Sequence, residues 1–437
     1  MNEATLTLDD AVTMWPILDP AERIEAFRRV EISQADQFFL HLAAQDQALL
    51  LRGVSDGERR LWFRLLAPDD AADLVQLAAP ADRDSLLSVL DDSTRREVVA
   101  LLAYAEDVAG GLMSPRFVRL RPDITVGEAI AYLRRQARER TESIHYAYVL
   151  SGDQRILGVV SFRDLFAASD STKVSAIMRT SVVSVTDTMD QESVAQLIAR
   201  HDLDALPVVD GNGRMQGIVT IDDIVDVVEQ EATEDIQKLG GMEALETPYL
   251  ETRLRSMIKK RAGWLSALFL GEMLTASAMS HYEDEIAKAV VLALFVPLII
   301  SSGGNSGSQA TTLIIRAMAL SEVKIRDWWR IARRELVAGL ALGIILALIG
   351  TARILVWQGL FHSYGTHYVQ VALTVAISLM GVVTWGTLAG SMLPFAIRRL
   401  GFDPASASAP FVATLVDVSG LVIYFNVAQL VMHGSLL

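Results

Sequence analysis

The second half of the chain carries five long apolar segments, at 262–280, 286–320, 335–352, 369–393 and 410–433. A helix needs about 20 apolar residues to cross a hydrocarbon core of about 30 Å. The first, third, fourth and last segments each predict one membrane span. The second is too long, since 35 residues make a helix of about 52 Å at about 1.5 Å per residue. It is also interrupted by Pro297 and by "SSGGNSGSQATT" at 301–312. It reads as one span, kinked or locally unwound, that extends into the cytoplasm. Polar, glycine-rich backbone at membrane depth is tolerated only against protein or a water-filled path.

Charge orients the spans. Arg253, Arg255, Lys259, Lys260 and Arg261 precede the first. Lys324, Arg326, Arg330, Arg333 and Arg334 lie between the second and third, and Arg398 and Arg399 between the fourth and fifth. The opposite loops, "SHYEDEIAK" and "GLFHSYGTHYV", hold a single lysine. Five spans with a cytoplasmic N-terminus put the C-terminus outside. The opening "MNEATLTLDDAVTMW" lacks the basic-then-apolar pattern of a secretory signal. Gly339 and Gly343, and Gly386 and Gly390, have the G-x-x-x-G spacing that permits close helix contact. Five spans make a thin wall for a pore, whereas a dimer would supply ten.

Asp417 is the one charged residue of "PFVATLVDVSGLVIYFNVAQLVM". It lies about seven residues into the span, about 10 Å from its cytoplasmic end. An ionised Asp there costs at least about 2.5 kcal/mol on insertion scales. A protonated or hydrogen-bonded Asp could tie helices together, but such residues usually mark ion pathways. Thr414, Ser419, Gly420 and Asn426 supply oxygens and room. Glu272 is a second intramembrane acid, open to either role, and Arg353 reads as snorkelling to the interface. The chain has no cysteine, and His281, His362 and His367 fall in outer loops, which disfavours zinc and copper. Carboxylate with carbonyl and hydroxyl oxygen suits hard cations, Mg²⁺ foremost, held through its waters.

Residues 1–250 hold 43 Asp+Glu against 24 Lys+Arg. A surface this acidic argues against nucleic acid, which needs cations for its phosphates. Residues 20–100 show a twelve-residue repeat with apolar pairs at Phe38–Phe39, Leu50–Leu51, Trp62–Phe63, Leu74–Val75, Leu86–Leu87 and Val98–Val99. One short helix per repeat would stack into a small superhelix. From 112 to 235 the chain duplicates a strand–helix–hairpin–helix unit. Met113 and Met178 open the copies, and "GVVSFRD" and "GIVTIDD" close them. Neither copy carries a nucleophile–base set, and no G-x-x-x-x-G-K-[ST] appears, so no enzyme activity is expected. Between 202 and 246 stand twelve acids and two bases. Helical spacing groups Asp223, Asp226 and Glu234, with Glu231 and Asp235 close by. Exposed acids are cheap, but dense like charge repels and multivalent cations relieve it, which favours cation sensing over a merely solvated face.

Together, "LLAYAEDVAGGLMS", the paired units, "EATEDIQKLGGME", "PLIISSGGNSGSQATTLIIRA" and "LPFAIRRLGFDPASASAPFVATLVDVSGLVIYF" resemble the MgtE family of bacterial Mg²⁺ channels. The resemblance covers essentially the whole chain. It implies a multidomain protein: an all-α superhelical N-domain (1–111), tandem α+β CBS units (112–175 and 176–229), a connecting plug helix (230–258) and a five-span all-α transmembrane domain (259–437). It implies a homodimer in the bacterial inner membrane, with the pore at the subunit interface and Asp417 as the pore aspartate holding hydrated Mg²⁺. Asp403 resembles a family sensor residue. Asp190, Glu192, Asp202, Asp223, Asp226, Glu231, Glu234 and Asp235 fall on positions like the family's cytosolic Mg²⁺ cluster, and Asp69, Asp70 and Asp73 are N-domain candidates for it. Internal Mg²⁺ would draw these acids together and close the pore. CBS pairs often bind adenosine nucleotides, and Tyr146, Arg163 and Asp164 would hold ATP here, although "YVLSGDQ" lacks the acid usual after that strand. Two rival readings remain: an ion-coupled divalent cation carrier, and a CBS nucleotide sensor with a membrane anchor.

Overall fold

The computed structural model describes residues 5–52, 54–136, 145–245, 247–250 and 252–433. The chain forms two compact units, 1–229 and 230–437.

In the first unit, α1 (Leu8–Met14) leads into seven helices: α2 (Pro20–Arg28), α3 (Ile32–His41), α4 (Ala44–Arg52), α5 (Asp56–Phe63), α6 (Pro68–Gln76), α7 (Pro80–Val89) and α8 (Asp92–Leu101). Their first residues are 12 apart throughout, so the sequence period is the helix period. Five of the seven starts have a local cause. Pro20, Pro68 and Pro80 occupy the first turn, where a missing N–H costs nothing, and Asp19, Ser55 and Asp91 cap the N–H groups behind them. Helices two apart stack, α2 on α4, α4 on α6, α6 on α8 and α5 on α7. The apolar pairs fill the space between them: Phe38, Phe39, Leu74 and Val75 are buried, while Val99 at the end of the array is half exposed. A second repeated position is polar. Arg23, Gln47, Arg59 and Arg95 each donate to the carbonyl eight residues earlier, at 2.8–3.3 Å. In four of the seven repeats one side chain thus adds a donor to a carbonyl at the preceding helix end.

After α9 (Ala109–Leu112) the duplicated units follow. The first contains β1 (Arg119–Leu120), α10 (Val126–Gln136), β2 (Tyr146–Leu150), β3 (Ile156–Ser161) and α11 (Phe162–Ala167). After α12 (Val174–Ile177) the second contains β4 (Val185–Thr186), α13 (Gln191–His201), β5 (Ala205–Val209), β6 (Met215–Thr220) and α14 (Ile221–Leu239). In each sheet the first strand is parallel and the third antiparallel to the middle one, and both hairpins carry a register shift at the same place, Val149/Leu150 and Val208/Val209. The copies interlock. Ser114 bridges to Ile218 and Arg179 to Val159, so each opening segment lies on the other copy's last strand. A Cβ on Gly217 would meet the Ser114 carbonyl at 2.6 Å, and one on Gly158 the Arg179 carbonyl at 2.8 Å. Met113 and Met178 pack over these glycines.

The second unit holds α15 (Leu254–His281), α16 (Glu283–Lys288), α17 (Val290–Ala293), α18 (Val296–Ala319), α19 (Trp328–Phe361), α20 (Tyr368–Arg399) and α21 (Ala409–Met432). Among the described residues, four stretches are long and apolar enough to cross a membrane: Val290–Ala319, Ile325–Phe361, Gly365–Arg399 and Ala409–Met432. The expected first span is a helix of 28 residues, long enough at about 42 Å, but it is not among those four stretches.

Two expectations are corrected. The polar stretch 301–312 is neither unwound nor kinked; α18 runs through it unbroken. The break lies earlier, at 289–295, and Pro297 starts the new helix where its missing N–H is harmless. The small residues serve packing. Gly303 and Gly307 let α18 lie against the backbone of Gly386 and Gly390 on α20, Ser306 and Thr387 share a 2.6 Å hydrogen bond, and Thr311 donates to the Gly390 carbonyl at 2.8 Å. Gly339 and Gly343 of α19 approach Thr384 and Met380 of α20 in the same way. Both G-x-x-x-G pairs are therefore used within one chain. The second correction concerns the plug helix expected over 230–258. α14 already covers 221–239, and the chain then turns at Gly241, whose φ of +73° suits glycine alone, before α15 begins at Leu254.

Candidate functional site: a carboxylate in an apolar helix and three groups of acids

α21 starts at a designed cap. Ser408 Oγ accepts from the Phe411 N–H at 3.3 Å, and Pro410 sits in the first turn. The helix then presents Asp417 half-buried toward α18, where a Cβ on Gly304 would stand 3.3 Å from Asp417 Oδ1. Glycine at 304 leaves the carboxylate its space. Glu272 of α15 is near enough for its charge to act on Asp417. The neighbouring hydroxyls are partly engaged. Thr414 donates to the Pro410 carbonyl, and Ser419 donates to Leu415 and accepts from Trp385 Nε1 at 2.7 Å. Asn426 donates to the Tyr282 hydroxyl at 3.2 Å.

The other candidate acids fall into three groups. In the first, Asp70 and Asp73 of α6 meet Asp223 and Asp226 of α14. Asp73 is pushed up to about 7, first by surrounding protein and then by Asp70, Asp223, Glu106 and Asp226. Its carboxylate still faces water, so the crowding is that of an open wall and not a sealed interior. Asp70 and Asp226 are raised by the same two causes. Asp223 is raised by burial despite accepting from Thr220 Oγ1 at 2.6 Å. Asp69 turns into the helical array and is buried.

The second group lies on α13. Asp190 caps its start, accepting from the Glu192 and Ser193 N–H groups, and Asp202 ends it in the left-handed region at φ 52°. With 11 residues between them, Asp190 and Asp202 stand about 18 Å apart, so Asp202 is not brought to Asp190 and Glu192.

The third group sits at the C-terminal end of α14, in the second unit. Lys238 Nζ donates to Asp403 Oδ2 at 2.6 Å and to Glu234. Burial alone would lower this lysine, but the bonds to Asp403 and Glu234 outweigh it and raise it. Beside them Asp235 is pushed up to about 6, by burial first and then by Asp403 and Glu231. Asp403 also caps the Pro404–Ser406 turn, and Trp264 Nε1 donates to Ser408 Oγ at 3.1 Å. The linker between α14 and α15 is therefore fastened at both ends of the loop that starts α21. Lys238 and Trp264 escaped the sequence reading, which counted acids; the lone lysine in an acidic run was the available signal. Among the described residues no three His, Cys, Asp or Glu close around one metal position.

At the CBS pair, Asp164 accepts from Arg179 Nη2 at 3.3 Å and Tyr146 bonds Asp204. Tyr146 and Asp164 thus stand beside Arg179, which spacing did not reveal, while Arg163 makes no hydrogen bond or ion pair with the described residues.

Three family models match the chain: the MgtE intracellular N domain over 6–107, the CBS domain over 105–171 and 174–230, and the MgtE divalent cation transporter domain over 296–427. The "Magnesium transporter MgtE" of Thermus thermophilus is 40% identical over 97% of this chain and 93% of its own length. That of Bacillus subtilis is 33% identical over 90% and 85%, and that of Enterococcus faecalis 36% over 77% and 72%. A crystal structure of the cytosolic domain of the Mg²⁺ channel MgtE in complex with ATP matches 51% of this chain and 90% of its own, at 40% identity and a TM-score of 0.47.

Proposed function

Because the chain belongs to the MgtE family, we propose that it conducts Mg²⁺ inward across the cytoplasmic membrane, with Asp417 meeting the ion. One observation carries the reading: the lone charged side chain of α21 is half-buried and faces a glycine that leaves it room. A carboxylate so placed attracts a hydrated divalent ion without stripping it, because Mg²⁺ dehydrates reluctantly. The membrane potential adds about 2.3 kcal/mol per charge per 100 mV, twice that for a divalent ion.

In this reading α15 is the fifth span, the N-terminal unit is cytoplasmic, the C-terminus is outside, and two chains pair so that their Asp417 carboxylates share a pore. The acids at Asp190, Glu192, Asp202, Asp223, Asp226, Glu231, Glu234, Asp235 and Asp403 are the regulatory set. Crowding around Asp73 and Asp223 supports this for the α6–α14 group, since a divalent cation would relieve it. The acids are not in ligating geometry with one another, so cation binding would draw them together. The CBS residues fit a nucleotide, with Asp164 as an acceptor for hydroxyls, Arg179 and Arg163 as cations for phosphate, and Tyr146 as a ring.

Flux into liposomes holding a Mg²⁺ indicator tests the pore. Asp417→Ala should abolish it while the protein still folds and reconstitutes. Undiminished flux would overturn the assignment. Flux that appears only under an imposed pH gradient would favour a coupled carrier instead.

A further inference from the structure

We propose that the first turns of α19 form a headgroup site for an anionic phospholipid. Arg326, Arg330, Arg333 and Arg334 are all exposed. Among the described residues, Arg326, Arg330 and Arg333 make no ion pair with a carboxylate. At about 100° per residue, Arg330, Arg333 and Arg334 fall within one arc of about 100°. The opposite side is committed to the protein: Ala332 is buried and Ile331 packs against Ile314, Met318 and Phe395. The arginine arc therefore points away from the helix bundle.

Depth and neighbours select a lipid. α19 spans 34 residues, about 51 Å, far more than the hydrocarbon core of about 30 Å. Its apolar run begins at Leu336, which leaves the arginines within about 9 Å of the core edge, at headgroup height. Trp328 and Trp329 stand there too, 50% and 55% exposed, with rings 5.4 Å apart. Arg333 lies over the Trp329 ring at 5.6 Å. Tryptophan at this level anchors a helix to the interface. Guanidinium forks match phosphate, and clustered cations favour a headgroup of net negative charge over a zwitterionic one, whose own cation offsets its phosphate. A soluble anionic partner would need neither the tryptophans nor this depth.

The test reconstitutes the full chain in neutral phosphatidylcholine doped with a small fraction of brominated lipid, either phosphatidylglycerol or phosphatidylcholine. The readout is the quenching lost on Trp328→Phe/Trp329→Phe, which isolates this pair from the other tryptophans. Brominated phosphatidylglycerol should quench the pair about threefold more than the same fraction of brominated phosphatidylcholine. Arg330→Gln/Arg333→Gln/Arg334→Gln should remove the preference, and the matching lysine variant should keep most of it. Raised salt should weaken it in the unmodified chain, a measurement that needs no variant to fold. Equal quenching by the two lipids, a preference intact in the glutamine variant, or one indifferent to salt overturns the proposal.

Discussion

Lys238 Nζ stands 2.6 Å from Asp403 Oδ2 across 165 residues of sequence, and the same ammonium holds Glu234 one turn back on its own helix. One cation thus pairs with two acids beside Asp235 and ties the end of α14 to the loop before α21. An ammonium can do this only as a point charge, with no preference for a fixed coordination geometry. The arrangement neutralises part of the cluster without any divalent ion.

Replacing Lys238 with Gln should therefore loosen the 240–253 linker, leaving Glu234, Asp235 and Asp403 to repel. The pair is partly exposed, so the loss is about 1 kcal/mol. Limited proteolysis with a glutamate-specific protease should cut the variant several-fold faster than the unmodified protein in chelator. Added Mg²⁺ should narrow the difference, because a divalent ion can take the vacated place. Equal cutting in chelator would show that the lysine holds nothing.

Gly304 and Gly386 offer a contrast between ion path and scaffold. At Gly304 a new methyl would meet Asp417 Oδ1 at 3.3 Å and Ala413 Cβ at 3.4 Å, tight but adjustable. Gly304→Ala should lower flux several-fold while thermal stability in detergent stays within a few degrees. At Gly386 the methyl would run into the Gly303 backbone, which cannot yield, and overpacking of that kind costs about 1–3 kcal/mol. Gly386→Ala should lower the melting temperature more than Gly304→Ala does. The reverse order would mean that α18 and α20 are less tightly joined than these distances require.

The N-terminal array shows what patterning reveals and what it hides. Phe39 is fully buried and Val99 half exposed, although both are second members of a repeated apolar pair. Phe39→Ala should cost about 3–5 kcal/mol, and Val99→Ala under about 0.5 kcal/mol, read from chemical denaturation. The period was legible because one helix and one turn fill twelve residues and each helix must bury the same face. The polar member was not, because the same position holds Ala35 and Ala71 in other repeats. The membrane half failed differently. Glycine and serine in "SSGGNSGS" weaken a helix in water, yet α18 stays helical because those residues allow contact with Gly386 and Gly390 that larger ones would forbid. Propensity lost to tertiary packing there. Asp417 was legible because one charge in an apolar helix is conspicuous. Lys238 was not, because its partner lies 165 residues away.

Asp73 gives the pH test of the α6–α14 group. Its folded-state value is raised to about 7 by burial and by Asp70, Asp223, Glu106 and Asp226. A carboxyl raised above its unfolded value contributes stability that is complete below that value, about 3.9, and lost as pH rises through about 7. In chelator the first unit should thus lose stability between pH 4 and pH 8 on account of this group. The carboxylate meets solvent, so screening holds the loss to roughly 1–2 kcal/mol. Asp73→Asn should raise the melting temperature at pH 8 in chelator by a few degrees and change it little at pH 4. Mg²⁺ should stabilise the unmodified protein at pH 8, less so at pH 5.5 where protons already hold Asp73, and should stabilise the Asn variant less at pH 8. If Asp73→Asn leaves the pH 8 melting temperature unchanged with and without Mg²⁺, the crowded acids of α6 and α14 neither strain the fold nor meet the cation.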